Sequence, residues 1–151
     1  MRAAMSQRKN LLTHVLKKYG TGPDYLWPRQ PCYAVLRHGH TQKWYGIIMD
    51  VAPRVLGLDS LTGQNERGEV DILNLKSAPV TVSALLEKPG FLPAYHMNKK
   101  HWVSILLDGS VPLKEIHTLL DQSYELTKNV PLRSSSSDRK KFRMDLGFQD
   151  F

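Results

Sequence analysis

The residues best equipped for chemistry in this chain are Asn98, Lys99, Lys100 and His101, four polar side chains in succession between two apolar runs. Two adjacent lysines on an exposed turn can meet phosphates, with an asparagine amide donating beside them. The same residues also suit a plain turn, because asparagine tolerates left-handed backbone and lysines solvate well. Trp102 follows directly. It could stack on a base, but an aromatic at the start of a strand more often enters the core. Two histidine spacings, His38-x-His40 and His96-x4-His101, invite a zinc reading. Neither matches the recurring ligand spacings of a tetrahedral site, and Cys32, the lone cysteine, reads as a core residue of a strand. No metal and no cofactor are expected.

Acyl-transfer chemistry has less support. His101, Asp108 and Ser110 are close in sequence. A strand between them would hold them about 20 Å apart at about 3.3 Å per residue, beyond the reach of a nucleophile and its base. Asp108-Gly109-Ser110 reads instead as a turn leading into a helix. The chain has neither a phosphate-cradling glycine loop nor a dinucleotide fingerprint, so no catalytic residue is assigned.

The elements that must position these residues follow from periodicity. Leu11, Leu12, Val15, Leu16 and Tyr19 share one side of a helix, and Gly20 stands where its C-terminal cap belongs. Thr21 to Pro31 is a loop punctuated by three prolines and a glycine. Cys32 to Arg37 and Lys43 to Val51 form a hairpin signal. Val55 to Leu58 either extends it or is loop, and a polar turn over Thr62 to Gly68 leads to a strand from Val70 to Leu75. Ser77 suits the N-cap of a short helix with Val82, Leu85 and Leu86 as its stripe, stopped near Lys88 by Pro89-Gly90. Leu92 to Met97 and His101 to Leu107 read as a second hairpin turning at Asn98 to Lys100. Pro112 opens a last helix with Ile116, Leu119, Leu120, Ser123 and Leu126 near one face. The order predicts an α+β single-domain two-layer sandwich, with helices packed on an antiparallel sheet.

Charge supplies the first hint of a partner. The 151 residues carry 21 Lys and Arg against 14 Asp and Glu, a formal net charge of +7. Arg2, Arg8, Lys9, Lys17 and Lys18 meet no acidic residue before Asp24. Such an excess favours anionic partners, nucleic acid among them. A solvated helix face accounts for the same charges. No apolar run nears the roughly 18 residues of a membrane span, and the cationic first twenty residues hold no signal-peptide core, so a soluble, cytoplasmic protein is expected.

The block Pro93 to Pro112, PAYHMNKKHWVSILLDGSVP, with the helix ending in Ser123-Tyr124 and the upstream VDILNLK and EKPGFLP blocks, resembles the MmcQ/YjbR family. The resemblance runs from about Leu11 to Lys128. It implies a frataxin-like (CyaY-like) sandwich similar to a double-wing domain, in a family whose members are often labelled DNA-binding. Frataxin-type iron binding is not expected, because the first helix has no carboxylate for a hard cation.

Together these readings give a domain over residues 1–129 and a serine-rich basic tail over 130–151. The domain is read as a binding module and not an enzyme. Its expected partner is DNA, contacted through Asn98, Lys99, Lys100, His101, Arg37, Lys43, Lys17 and Lys18. The alternative is a protein- or small-ligand-binding domain with an apolar concavity between Trp27, Trp44 and Trp102. The tail, with Arg139, Lys140, Lys141 and Arg143, is expected to be dispensable for folding, Phe142, Leu146, Phe148 and Phe151 being the residues that could dock.

Overall fold

The computed structural model describes residues 6–58 and 67–128. The tail and the domain boundary before it, and most of the polar turn after Leu58, lie outside them. The first helix, α1 (Gln7–Tyr19), starts where Ser6 accepts from the Lys9 amide and stops at Gly20, whose φ of 70° closes the last turn onto Leu16. A hairpin follows, β1 (Ala34–Arg37) and β2 (Trp44–Val51), then a 3-10 turn over Pro53–Leu56 and the strand β3 (Val70–Lys76). After α2 (Pro79–Leu85) come β4 (Phe91–Pro93), β5 (Trp102–Leu106) and α3 (Leu113–Lys128).

The sheet order is β1-β2-β3-β5-β4, antiparallel throughout. The described residues form a small α+β domain of three α-helices and a five-stranded antiparallel sheet. One face carries Leu11, Val15, Ile116, Leu119 and Leu120 of α1 and α3 against Leu36, Ile48, Leu73 and Val103. The other face is also covered, which the two-layer reading did not anticipate. Tyr33, Ala94 and Met97 pack there on Ile47, Met49, Ile72 and Leu106, with Trp27 and Leu56 against them. Burial on both faces explains why β2 reads as a nearly continuous apolar run and not as an alternation.

Several sequence expectations are corrected. Leu16 (58% exposed), Leu86 (37%) and Leu126 (52%) lie off the core stripes they were assigned to. Thr127 takes the inward position near the end of α3 instead. Cys32 is half-buried in a turn before β1, where its carbonyl accepts from Arg8 Nη1 at 2.6 Å. The N-cap of α2 is Ala78 with no side-chain cap, while Ser77 donates its amide to the His101 carbonyl. Pro79 pre-sets the first turn and removes one of the donors that would otherwise need a partner.

The second hairpin departs most. β4 ends at Pro93, four residues earlier than the apolar pattern suggests, and residues 94–101 cross the second face of the sheet. A buried polar set holds them there. Asn74 Nδ2 donates to the Tyr95 carbonyl at 2.9 Å, the Tyr95 amide donates to Ser104 Oγ at 2.9 Å, and Ser104 Oγ donates to Asn74 Oδ1 at 2.5 Å. Asn74 and Ser104 face each other across β3 and β5, and both are fully buried.

Gly90 fixes the start of β4. Its φ is +90°, and a Cβ there would stand 2.5 Å from Val111 Cγ2 and 3.1 Å from Ser110 Cβ. Gly90→Ala is therefore expected to cost about 3 kcal/mol, combining left-handed strain with overpacking. At this chain length that lowers the melting temperature by roughly 10 °C. A shift below about 2 °C in a thermal melt would show that Val111 gives way freely.

Candidate nucleic-acid interface

Strand register brings most of the sequence-predicted residues to one end of the sheet. Lys43 precedes Trp44, which pairs with Arg37, so the β1–β2 turn lies at that end. Lys76 is the last residue of β3 and pairs with Trp102, the first of β5. His101 stands one residue before Trp102, with Lys99 and Lys100 preceding it. Neighbouring strands are about 4.8 Å apart, so the start of β2, the end of β3 and the start of β5 form one short ledge.

Asn98 builds the turn on that ledge. Its Oδ1 accepts from the Lys100 amide at 2.9 Å and the His101 amide at 3.1 Å, and its carbonyl accepts from Trp102 N at 3.0 Å. The asparagine oxygen is thus committed to backbone, which leaves its amide donors for a ligand. Lys99 and Lys100 are exposed. Trp102 (3% exposed) and Trp44 (7%) are core residues, and Trp27 meets Trp44 edge-on at 5.8 Å. The indoles of Trp44 and Trp102 lie in the second core, with Trp27 packed against it.

Lys76 is the residue that sequence reasoning missed. It is half-buried, and burial first and the neighbouring Lys43 charge second hold its ammonium below the usual lysine range. A lysine ending a buried strand is the signal that could have found it, since the apolar run VDILNL leaves that cation nowhere to go but the sheet end. Among the described residues, the ion pairs use Arg8, His14, Lys18, Arg37, Arg67, Lys88 and Lys128. Lys43, Lys76, Lys99 and Lys100 take part in none of them.

Other candidates are engaged elsewhere. Arg37 Nε donates to Asp24 Oδ2 at 2.6 Å, and Lys18 Nζ to Asp121 Oδ2 at 2.8 Å. Lys17 is exposed on α1. His38 is buried, with Nε2 2.7 Å from Thr127 Oγ1, which itself donates to the Ser123 carbonyl. That hydroxyl is left to accept, so His38 carries its proton on Nε2, and burial lowers its pKa. Asp108 Oδ1 accepts from the amide and hydroxyl of Ser110, at 2.9 and 2.6 Å, as a turn requires. Among the described residues, no three of His, Cys, Asp and Glu gather as a metal site. None of their helices is long and apolar enough to cross a membrane.

An antiparallel β1-β2-β3-β5-β4 sheet with α1 and α3 on one face, and a crossing segment pinned by Asn74 and Ser104 on the other, defines the class of domain. Residues 16–126 match the YjbR family model, and the chain belongs to that family. Its relatives include the uncharacterised protein YyaQ of Bacillus subtilis, 48% identical over 124 residues, which span 82% of this chain and all of YyaQ. The uncharacterised protein YjbR of Escherichia coli is 36% identical over 59 residues, 38% of this chain and 50% of that one. A crystal structure of a Pseudomonas syringae protein superposes with a TM-score of 0.69 at 43% identity, covering 80% of this chain and 97% of that one. A Deinococcus radiodurans protein shares the fold at a TM-score of 0.58 and 24% identity, over 97% of this chain and 92% of that one.

Proposed function

We propose that this chain is a non-enzymatic nucleic-acid-binding module, with DNA as the ligand, that grips phosphates at the lysine-bearing end of its sheet. The observation that carries this reading is the convergence of Lys43, Lys76, Lys99 and Lys100 on that end, outside every ion pair among the described residues. Burial of Lys76 beside Lys43 leaves two like charges in need of a counterion, and a phosphate oxygen supplies one. The Asn98 turn fixes the backbone of Lys99 and Lys100, so less ordering is lost on binding. A frataxin-like, double-wing arrangement, in which such turns act as wings, belongs to this reading. A cytoplasmic setting, and a separate tail from residue 130 onward, belong to the same reading.

Recognition in this picture is electrostatic and weakly sequence-selective, because lysines neutralise phosphates without reading base edges. With about four phosphates engaged, fluorescence anisotropy at a series of salt concentrations is expected to give a log–log slope near −3.6 on duplex DNA. Absence of binding at about 50 mM salt by the intact chain would remove the reading.

A second reading has one feature in its favour. A groove of about 610 Å³ runs between α2 and α3, lined by Ala78, Thr81, Gln122, Glu125 and Leu126 among others. Its mixed apolar and acidic lining suits a protein segment or a small ligand better than a phosphate backbone.

A further inference from the structure

Beside their shared apolar cluster, α1 and α3 also meet through polar side chains, and two imidazoles stack there. His14 of α1 stacks on His117 of α3, with ring centroids 4.1 Å apart and planes 22° from parallel. His14 Nε2 lies 3.2 Å from Asp121 Oδ1, and His117 Nε2 lies 2.8 Å from Asn10 Oδ1. Both partners are oxygens that only accept, so each ring donates from Nε2. Asp121 also accepts from Lys18 Nζ at 2.8 Å and Tyr19 OH at 2.5 Å. The charged groups facing the pair are therefore Lys18 from α1 and Asp121 from α3. The sheet contributes the neutral phenol of Tyr45 behind Tyr19.

With both imidazoles neutral, this set is balanced: one ammonium against one carboxylate. A proton on His14 places an imidazolium beside Asp121, which Lys18 already neutralises. A second proton, on His117, puts like charges face to face at stacking distance, with the neutral Asn10 as that ring's hydrogen-bond partner. We propose that the stacked pair is an acid-operated latch between the helices: neutral, it holds the last turn of α1 on α3, and doubly protonated it releases that turn. Burial and the neighbouring His14 both lower the pKa of His117, in the direction the latch requires. A group whose folded pKa is lowered gives its full stabilisation above its unfolded value of about 6.5 and loses it as pH falls towards the folded value. The release therefore belongs to mildly acid pH.

The rest of α1 stays tied. Leu11 and Val15 are fully buried, and Arg8 makes a bidentate pair with Asp71 at 2.9 and 3.0 Å. Opening is thus confined to the turn carrying Lys17, Lys18 and Tyr19. Hydrogen exchange of the intact chain at about pH 7 and about pH 5, corrected for intrinsic rates, tests this. Amides of the last turn of α1 are expected to lose about tenfold in protection at the lower pH, while those of β3 and β5 lose less. The β3 and β5 amides also register any general loosening caused by His38. His117→Gln keeps a donor for Asn10 but takes no proton, and should abolish the selective loss. An equal loss in wild type and variant, or unchanged protection in wild type, would overturn the latch. If His117→Gln does not fold, ring titrations in the wild type decide: independent titration of His14 and His117, with no shift of α1 signals, also overturns it.

Discussion

Asn74→Ala is expected to destabilise the fold by about 3 kcal/mol, because it strips two buried groups of their partner at once. The Tyr95 carbonyl loses its donor and the Ser104 hydroxyl loses its acceptor, where Asn74 and Ser104 themselves have no exposure to solvent. Each unsatisfied buried group costs about 1–3 kcal/mol, and the truncated side chain leaves a small void besides. Urea unfolding should show the loss as a lower midpoint with an unchanged slope. Ser104→Ala also strips two groups, the Tyr95 amide of its acceptor and Asn74 Oδ1 of its donor, and should cost a comparable amount. A loss below about 1 kcal/mol for Asn74→Ala would mean that the segment crossing the sheet is held by its apolar contacts alone. The effect extends to function, because residues 94–101 carry the Asn98 turn. Nucleic-acid affinity should fall in the variant even where it remains folded.

Lys99→Glu with Lys100→Glu is expected to weaken DNA binding on the order of 100-fold at low salt. Each phosphate contact contributes about 0.9 to the log–log slope, so two contacts account for about two decades of affinity between 1 M and 50 mM salt. The slope itself should flatten from about −3.6 towards −1.8, and every sequence should be affected alike. Stability should hardly change, since both side chains are exposed and take part in none of the ion pairs among the described residues. His101→Ala should matter less, because it leaves both lysine ammoniums of the turn in place. Binding that survives the double reversal would move the contact surface away from the Asn98 turn.

The sequence makes the helices and strands legible wherever one period dominates. Leu11 and Val15, or Ile116, Leu119, Leu120 and Ser123, recur at helical spacing, and the structure buries them all. Leu16 and Leu126 satisfy the same spacing and face solvent, because a helix packed on a sheet buries a stripe narrower than its apolar pattern. The early end of β4 was not legible. The run from Leu92 to Met97 is apolar enough for a strand, and only the pairing of Asn74 with Ser104 across β3 and β5 lifts it off β5. Polar residues 30 positions apart announce no such contact. The lysines of the turn were visible as a local motif, whereas Lys76 joins them only through register, which no local pattern reveals. Arg37 and Lys18 were visible as cations, but Asp24 and Asp121 engage them from other elements.

The central claim is that one end of the sheet meets the phosphate backbone. Titration of isotope-labelled chain with a short mixed-sequence duplex, followed through backbone amide shifts, locates the contact directly. The account predicts shifts concentrated at Lys43, Lys76 and Asn98 to His101, fading as salt is raised. Shifts concentrated instead along the groove between α2 and α3, or on the exposed side of α1 at Lys9 and Lys17, would contradict it.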